Sequence, residues 1–253
     1  MKTIKSGLFF YVFVLFAFFN VTAQDSQPTM FTTHTDNVNF DKIMEYEGII
    51  KELNENLVKH NVKGTSWTAI NLIDGRYIYA SPISNMADLD KNPMADLFEK
   101  MGKEAAGKLF ERMNECYDSH SDAVIHHIPE LSYMPEGYST DGKNYREYHI
   151  MYYSPKNSKA LGDAMESVKE LFESKGIKNG YNMYHSGFGS EQGYYMVSIA
   201  AEDQMDLAKS GQENDAAFGP EGQAVFYEVI KLTSDYEKIE GRVRPDLSYS
   251  PKE

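Results

Sequence analysis

A single cysteine, Cys116, leaves the chain unable to form an internal disulfide, so its stability has to come from packing. Cys116 falls in a stretch with helical spacing, where a thiol is expected to be buried and inert rather than reactive. Basic residues are scarce too: 25 Lys and Arg stand against 38 Asp and Glu, a formal net charge of −13. With no basic stripe to neutralise phosphates, a nucleic-acid partner is excluded, and the same charge disfavours anionic membrane surfaces. Catalytic signatures are missing as well. There is no GxSxG elbow, P-loop, GxGxxG fingerprint, HExxH or CxxC pair, and no metal-ligand spacing stands out, so no metal site is assigned.

The one long apolar run lies at the start. Lys2 and Lys5 precede Leu8 to Phe19, followed by Val21 and Ala23 at spacing suited to a signal peptidase. The run falls short of the roughly 20 residues a spanning helix needs. Residues 1–23 are therefore expected to be a signal peptide, and the mature chain to be exported, periplasmic or extracellular, without a stable membrane anchor. No cysteine follows the run, which excludes a lipid-modified N-terminal cysteine.

What is present in abundance is repetition. "PELSYMP", Pro129 to Pro135, returns as "PDLSYSP", Pro245 to Pro251. Other identities keep the same order. Lys51 to Leu53 match Lys169 to Leu171, Gly75 matches Gly193, Tyr77 matches Tyr195, and Phe110 matches Phe226. A duplicated chain explains this register. Periodicity agrees. Ile43, Tyr46, Ile50, Leu53 and Leu57 recur at helical spacing between Asp41 and His60, as do Leu161, Met165, Val168 and Phe172. Strand-like runs follow each helix, the first pair pivoting on Asp74-Gly75, a strong hairpin signal. A second helix is expected from Pro93 to about Tyr117, and again from about Glu221 to Tyr236, each followed by a last strand. Further strands, Thr29 to Thr35 and Arg146 to Tyr153, precede the first helix of each copy. The fold class is thus α+β, with two tandem βαββαβ, ferredoxin-like units at 24–135 and 146–253 joined by a linker at 136–145. Tyr133 and Tyr249 are read as equivalent latches that pin the end of each copy.

On this element order and duplication the chain resembles the dimeric α/β-barrel superfamily in its fused form. The resemblance implies two four-stranded sheets paired into a pseudo-dimeric barrel with helices outside. It includes cofactor-free monooxygenases, haem-dependent enzymes such as chlorite dismutases and dye-decolorising peroxidases, and members without known activity. Fold alone does not choose among them.

The candidate ligand-binding residues are Trp67, Tyr77, His126, His149, His185, Tyr195 and Arg242. His149 alternates with Glu147, Met151 and Tyr153 on one strand face. His185 shares a face with Tyr181 and Met183 and is aligned with Trp67 of the first copy. His126 and His127 are adjacent on a strand and point to opposite faces, so they do not share a metal; they align with Arg242 and Val243. Trp67, Tyr77, Tyr79, Tyr184 and Tyr195 offer apolar walls with polar tips, although plain barrel filling accounts for the same residues. The leading expectation is a small-molecule-binding barrel with an apolar or aromatic ligand held between the two sheets. An oxidoreductase using His126, His149 or His185 as base or iron ligand, with haem as the possible cofactor, is the alternative. A non-catalytic protein-interaction module is the third. Oligomeric state is left open.

Overall fold

The computed structural model describes residues 29–251; the expected signal peptide lies outside the described residues. Strands Met30–Val38 (β1), Thr68–Leu72 (β2), Arg76–Ile83 (β3), Tyr117–His127 (β4), Tyr145–Tyr152 (β5), Tyr181–Ser186 (β6), Tyr194–Ala201 (β7) and Asp235–Val243 (β8) form a closed barrel. Helices Ile43–Lys59 (α1), Ala95–Met101 (α2), Lys103–Asn114 (α3), Ser158–Ser174 (α4) and Gln204–Leu232 (α5) cover it. Around the barrel the strands run β1-β3-β2-β8-β5-β7-β6-β4, every neighbour antiparallel. The first four strands occupy one arc, β4-β1-β3-β2, and the last four the other, β8-β5-β7-β6, so both arcs have the same internal order.

Alternation along the strands makes two separate cores. On the outer face of the first arc, Val38, Ala69 and Tyr77 pack under Tyr46, Ile49, Ile50, Leu53 and Leu57 of α1. The second arc mirrors this with Met151 and Met183 under Leu161, Met165 and Val168 of α4. The inner faces meet at Leu72, Tyr148 and Ile239, with Ile70, Ile78 and Met196 against them. At this level side chains from both arcs meet in the space between the sheets.

Three element boundaries also move. The helix expected from Pro93 is divided into α2 and α3 by Gly102, and Cys116 lies beyond α3, buried at the entry to β4. Burial pushes its thiol pKa up, in keeping with an inert role. Helix α5 starts far upstream of Glu221, where Asp203 Oδ1 accepts from the backbone N–H groups of Met205 and Asp206. It passes through Gly219 at φ 56°, ψ −149° and restarts at Pro220. Proline is a sound helix-start signal, but here it marks a restart after a break that glycine alone tolerates. The helix ends at Leu232, which leaves Tyr236 to β8.

Each repeated heptad latches onto the opposite arc. Tyr133 and Tyr181 exchange both backbone hydrogen bonds, as do Tyr249 and Trp67. The Tyr133 hydroxyl donates to Ile177 O at 2.7 Å, and the Tyr249 hydroxyl to Val62 O. Ser132 Oγ accepts from Met183 N and Ser248 Oγ from Ala69 N, both at 2.9 Å. Trp67 therefore corresponds to Tyr181, and Ala69 to Met183, so the alignment of His185 with Trp67 is displaced by four residues. Most of that displacement lies in the helices themselves: Val62 N bonds Leu57 O as Ile177 N bonds Phe172 O, so Leu57 corresponds to Phe172, and Lys51 does not stand where Lys169 stands.

Candidate functional site

A cavity of about 950 Å³ lies on the outer face of the second arc, between the strands β5, β7 and β8 and the helices α4 and α5. Its apolar walls come from Met151, Val197 and Ile199 on the strands and from Met165, Phe218 and Phe226 on the helices. The break at Gly219 sits in the helix that roofs it, directly after Phe218. Most of the lining is apolar, as in sites for small organic ligands.

One wall is polar. On β5, Glu147 and His149 stand two residues apart and share a face, and β8 presents Tyr236 and Lys238 beside them, with His149 opposite Lys238 in register. Glu147 is 7% exposed. Its Oε1 lies 2.7 Å from His149 Nε2 and its Oε2 2.5 Å from Lys238 Nζ. Burial alone would raise the Glu147 pKa, but the hydrogen bonds from His149 and Lys238 outweigh it and hold the carboxyl below the ordinary carboxylate range. Glu147 is therefore an acceptor only, so a neutral His149 imidazole carries its proton on Nε2. His149 Nδ1, 2.6 Å from the Tyr236 hydroxyl, is then the acceptor of the Tyr236 proton. Burial raises the Tyr236 pKa, and the Glu147 partner raises that of Lys238. The four side chains form one chain of proton contacts, from Tyr236 through His149 to Glu147 and Lys238. Its tip, the Tyr236 ring, is half exposed.

Of the seven candidate ligand-binding residues, His149 alone lies on this cavity wall. Trp67 and Tyr77 belong to the α1 core: the Trp67 indole N–H donates to Leu247 O at 2.9 Å and the Tyr77 hydroxyl to Glu47 at 2.6 Å. His185 and Tyr195 sit outside the barrel beside Tyr153, whose hydroxyl is 2.7 Å from His185 Nε2. Burial lowers the His185 pKa, which favours a neutral, packed imidazole. His126 faces His185 across the β4–β6 seam. Arg242 is exposed and lies 5.2 Å over the Tyr145 ring. Glu147, Tyr236 and Lys238 were not among the candidates. Glu147 carried a signal in its alternation with His149, whereas Tyr236 was hidden by its assignment to the preceding helix.

The donor set on this wall does not fit haem. Both ring nitrogens of its histidine are engaged, neither α4 nor α5 contains a histidine, and carboxylates outnumber cations around the polar patch.

No protein-family model matches the chain, and no curated protein matches it in sequence. Solved structures do share its architecture. An anthrone oxidase-like protein superposes with a TM-score of 0.60 at 12% identity, covering 90% of this chain and 95% of its own. A protein from Lactobacillus acidophilus NCFM, named provisionally as a monooxygenase, gives 0.52 at 9% identity over 89% and 97% of the two chains. A mutant chlorite dismutase from Candidatus Nitrospira defluvii gives 0.52 at 10% identity over 88% and 93%. At these identities the likeness is one of fold alone, a closed α+β barrel of the dimeric α/β-barrel type.

Proposed function

We propose that the two arcs are copies of one ferredoxin-like unit, and that the second has become the working site of an exported oxidoreductase for an apolar, aromatic substrate. The observation that carries the reading is the Tyr236–His149–Glu147 relay on the polar wall of an otherwise apolar cavity. A substrate with an acidic phenol or benzylic C–H, seated against Phe218 and Phe226, would give its proton to the Tyr236 oxygen while Tyr236 gives its own to His149 Nδ1. Glu147, held in place by Lys238, fixes the imidazole in the accepting tautomer and stabilises the imidazolium that forms. The electron pair stays on the substrate, and dioxygen is the class of oxidant that would accept it. The name of one structural neighbour, an anthrone oxidase-like protein, falls in the same reaction class.

Oxygen uptake with anthrone- and hydroquinone-type substrates tests this directly. His149→Ala should lower the rate by roughly 10²- to 10⁴-fold, the usual contribution of a positioned base, with much less change in ligand affinity. Binding without any oxygen uptake in the native chain would leave a ligand-binding protein and remove the enzyme reading. Absence of binding by native mass spectrometry and thermal shift would remove both. A Soret band retained after haem reconstitution and gel filtration would overturn the misfit of the donor set to haem.

A further inference from the structure

The first arc carries a different group at the matching register. In β1, His34 and Asp36 share the outer face, and they lie opposite Asp122 and His120 of β4. The four side chains make a two-by-two block, as in the second arc, where His149 lies opposite Lys238 and Met151 opposite Tyr236. The contrast is in charge. Glu147 has Lys238, whereas among the described residues no lysine or arginine pairs with Asp36 or Asp122.

From this block we infer a binding site for a first-row divalent transition cation, ligated by His34 Nε2, Asp36 Oδ1 and His120. One ligand atom from each residue lies within 4.8 Å of the others. Asp36 is 1% exposed, and its Oδ2 accepts from the Tyr46 hydroxyl at 2.5 Å. Its Oδ1 has no hydrogen-bond partner, although it lies 3.1 Å from His34 Nε2. A buried carboxylate oxygen without a donor is costly, and a cation shared with the imidazole relieves that cost. Such a separation suits two ligands of one metal, since tetrahedral bonds of about 2.0–2.1 Å set ligand atoms about 3.3 Å apart. His34 Nδ1 lies 2.8 Å from Asp122 Oδ1, an outer-shell carboxylate that would take the Nδ1 proton when a metal displaces the one on Nε2. His120 is exposed, and its ring centroid stands 5.3 Å from that of His34. A side-chain rotation brings it in, and solvent access leaves a fourth position for water. Two imidazoles and one carboxylate favour zinc and its first-row neighbours over magnesium or calcium.

Titration of the tag-free protein with Zn²⁺ by calorimetry, and with Co²⁺ followed through its visible d–d bands, tests the site. One equivalent should bind. His34→Ala and His120→Ala should each abolish the stoichiometric phase and the d–d spectrum, and Asp122→Asn should weaken binding by about 10- to 100-fold. His126→Ala should bind as the native chain does. His120 is at the surface, so an unchanged melting curve for His120→Ala separates loss of a ligand from loss of the fold. No binding, or binding that survives both histidine substitutions, would overturn the inference and leave the block as a closed histidine–carboxylate ion-pair network.

Discussion

Glu147 is the residue on which the cavity wall turns. It is buried, both of its oxygens are occupied, and each partner is itself a potential cation. Glu147→Gln keeps the shape but gives Lys238 a neutral partner and allows an amide N–H to face His149, which unsettles the tautomer. We expect a loss of about 1–3 kcal/mol in a urea melt, the scale for a buried charged hydrogen bond left unmade, together with loss of turnover. The Tyr133 and Tyr249 latches give a simpler test. Tyr249→Phe removes one hydroxyl bond and should cost about 1 kcal/mol, while Tyr249→Ala also empties a packed site and should cost about 3–5 kcal/mol. At this scale sequence legibility depends on distance along the chain. His149 was visible because Glu147 shares its strand. The His34–His120 block was not, since only the β1–β4 register brings those residues together.

Among elements, α5 and the segment after β8 do more than a periodicity argument conveys. Gly219 lies at a φ and ψ that only glycine occupies at low cost. Gly219→Ala should destabilise the chain by about 1–3 kcal/mol and shift Phe218 in the cavity roof, seen as weaker binding of an aromatic ligand. The strand alternation and the Asp74-Gly75 hairpin are readable because each is a local signal, and Arg76 to Ile83 forms a strand from end to end. The joining of two helical segments across Gly219-Pro220 is not, because those residues normally terminate helices. Beyond β8, Arg244 holds Glu47 of α1 and Asp246 together: its Nη2 lies 2.7 Å from Glu47 Oε2 and 2.8 Å from Asp246 Oδ2. The guanidinium holds the Glu47 carboxyl below its ordinary range and Asp246 at about 2. Both pKa values are lower folded than unfolded, so their stabilisation is complete above the unfolded values and is lost as pH falls toward about 2. Arg244→Gln should be less stable than the native chain at neutral pH, and the two urea midpoints should converge on acidification through that window.

At the scale of the whole molecule, the two arcs meet along narrow seams. The β2–β8 and β4–β6 ladders each pair three residues, against eight in β1–β3. Ladders that short leave much of the joining to the packed interior around Leu72, Tyr148 and Ile239 and to the two crossed latches. The covalent connection between the arcs runs through the loop that contains Gly137 and Gly142, both at positive φ, where Ser139, Asp141 and Gly142 are exposed. A cut there removes the tether without touching either seam. Limited proteolysis at an engineered site between Ser139 and Gly142 should therefore leave two fragments that elute together on gel filtration and separate only in denaturant. The same cut in a Tyr133→Ala, Tyr249→Ala double variant should release them, because each latch spans from one arc to the other. Fragments that separate in the native background would mean that the linker, rather than the interior and the latches, holds the barrel closed.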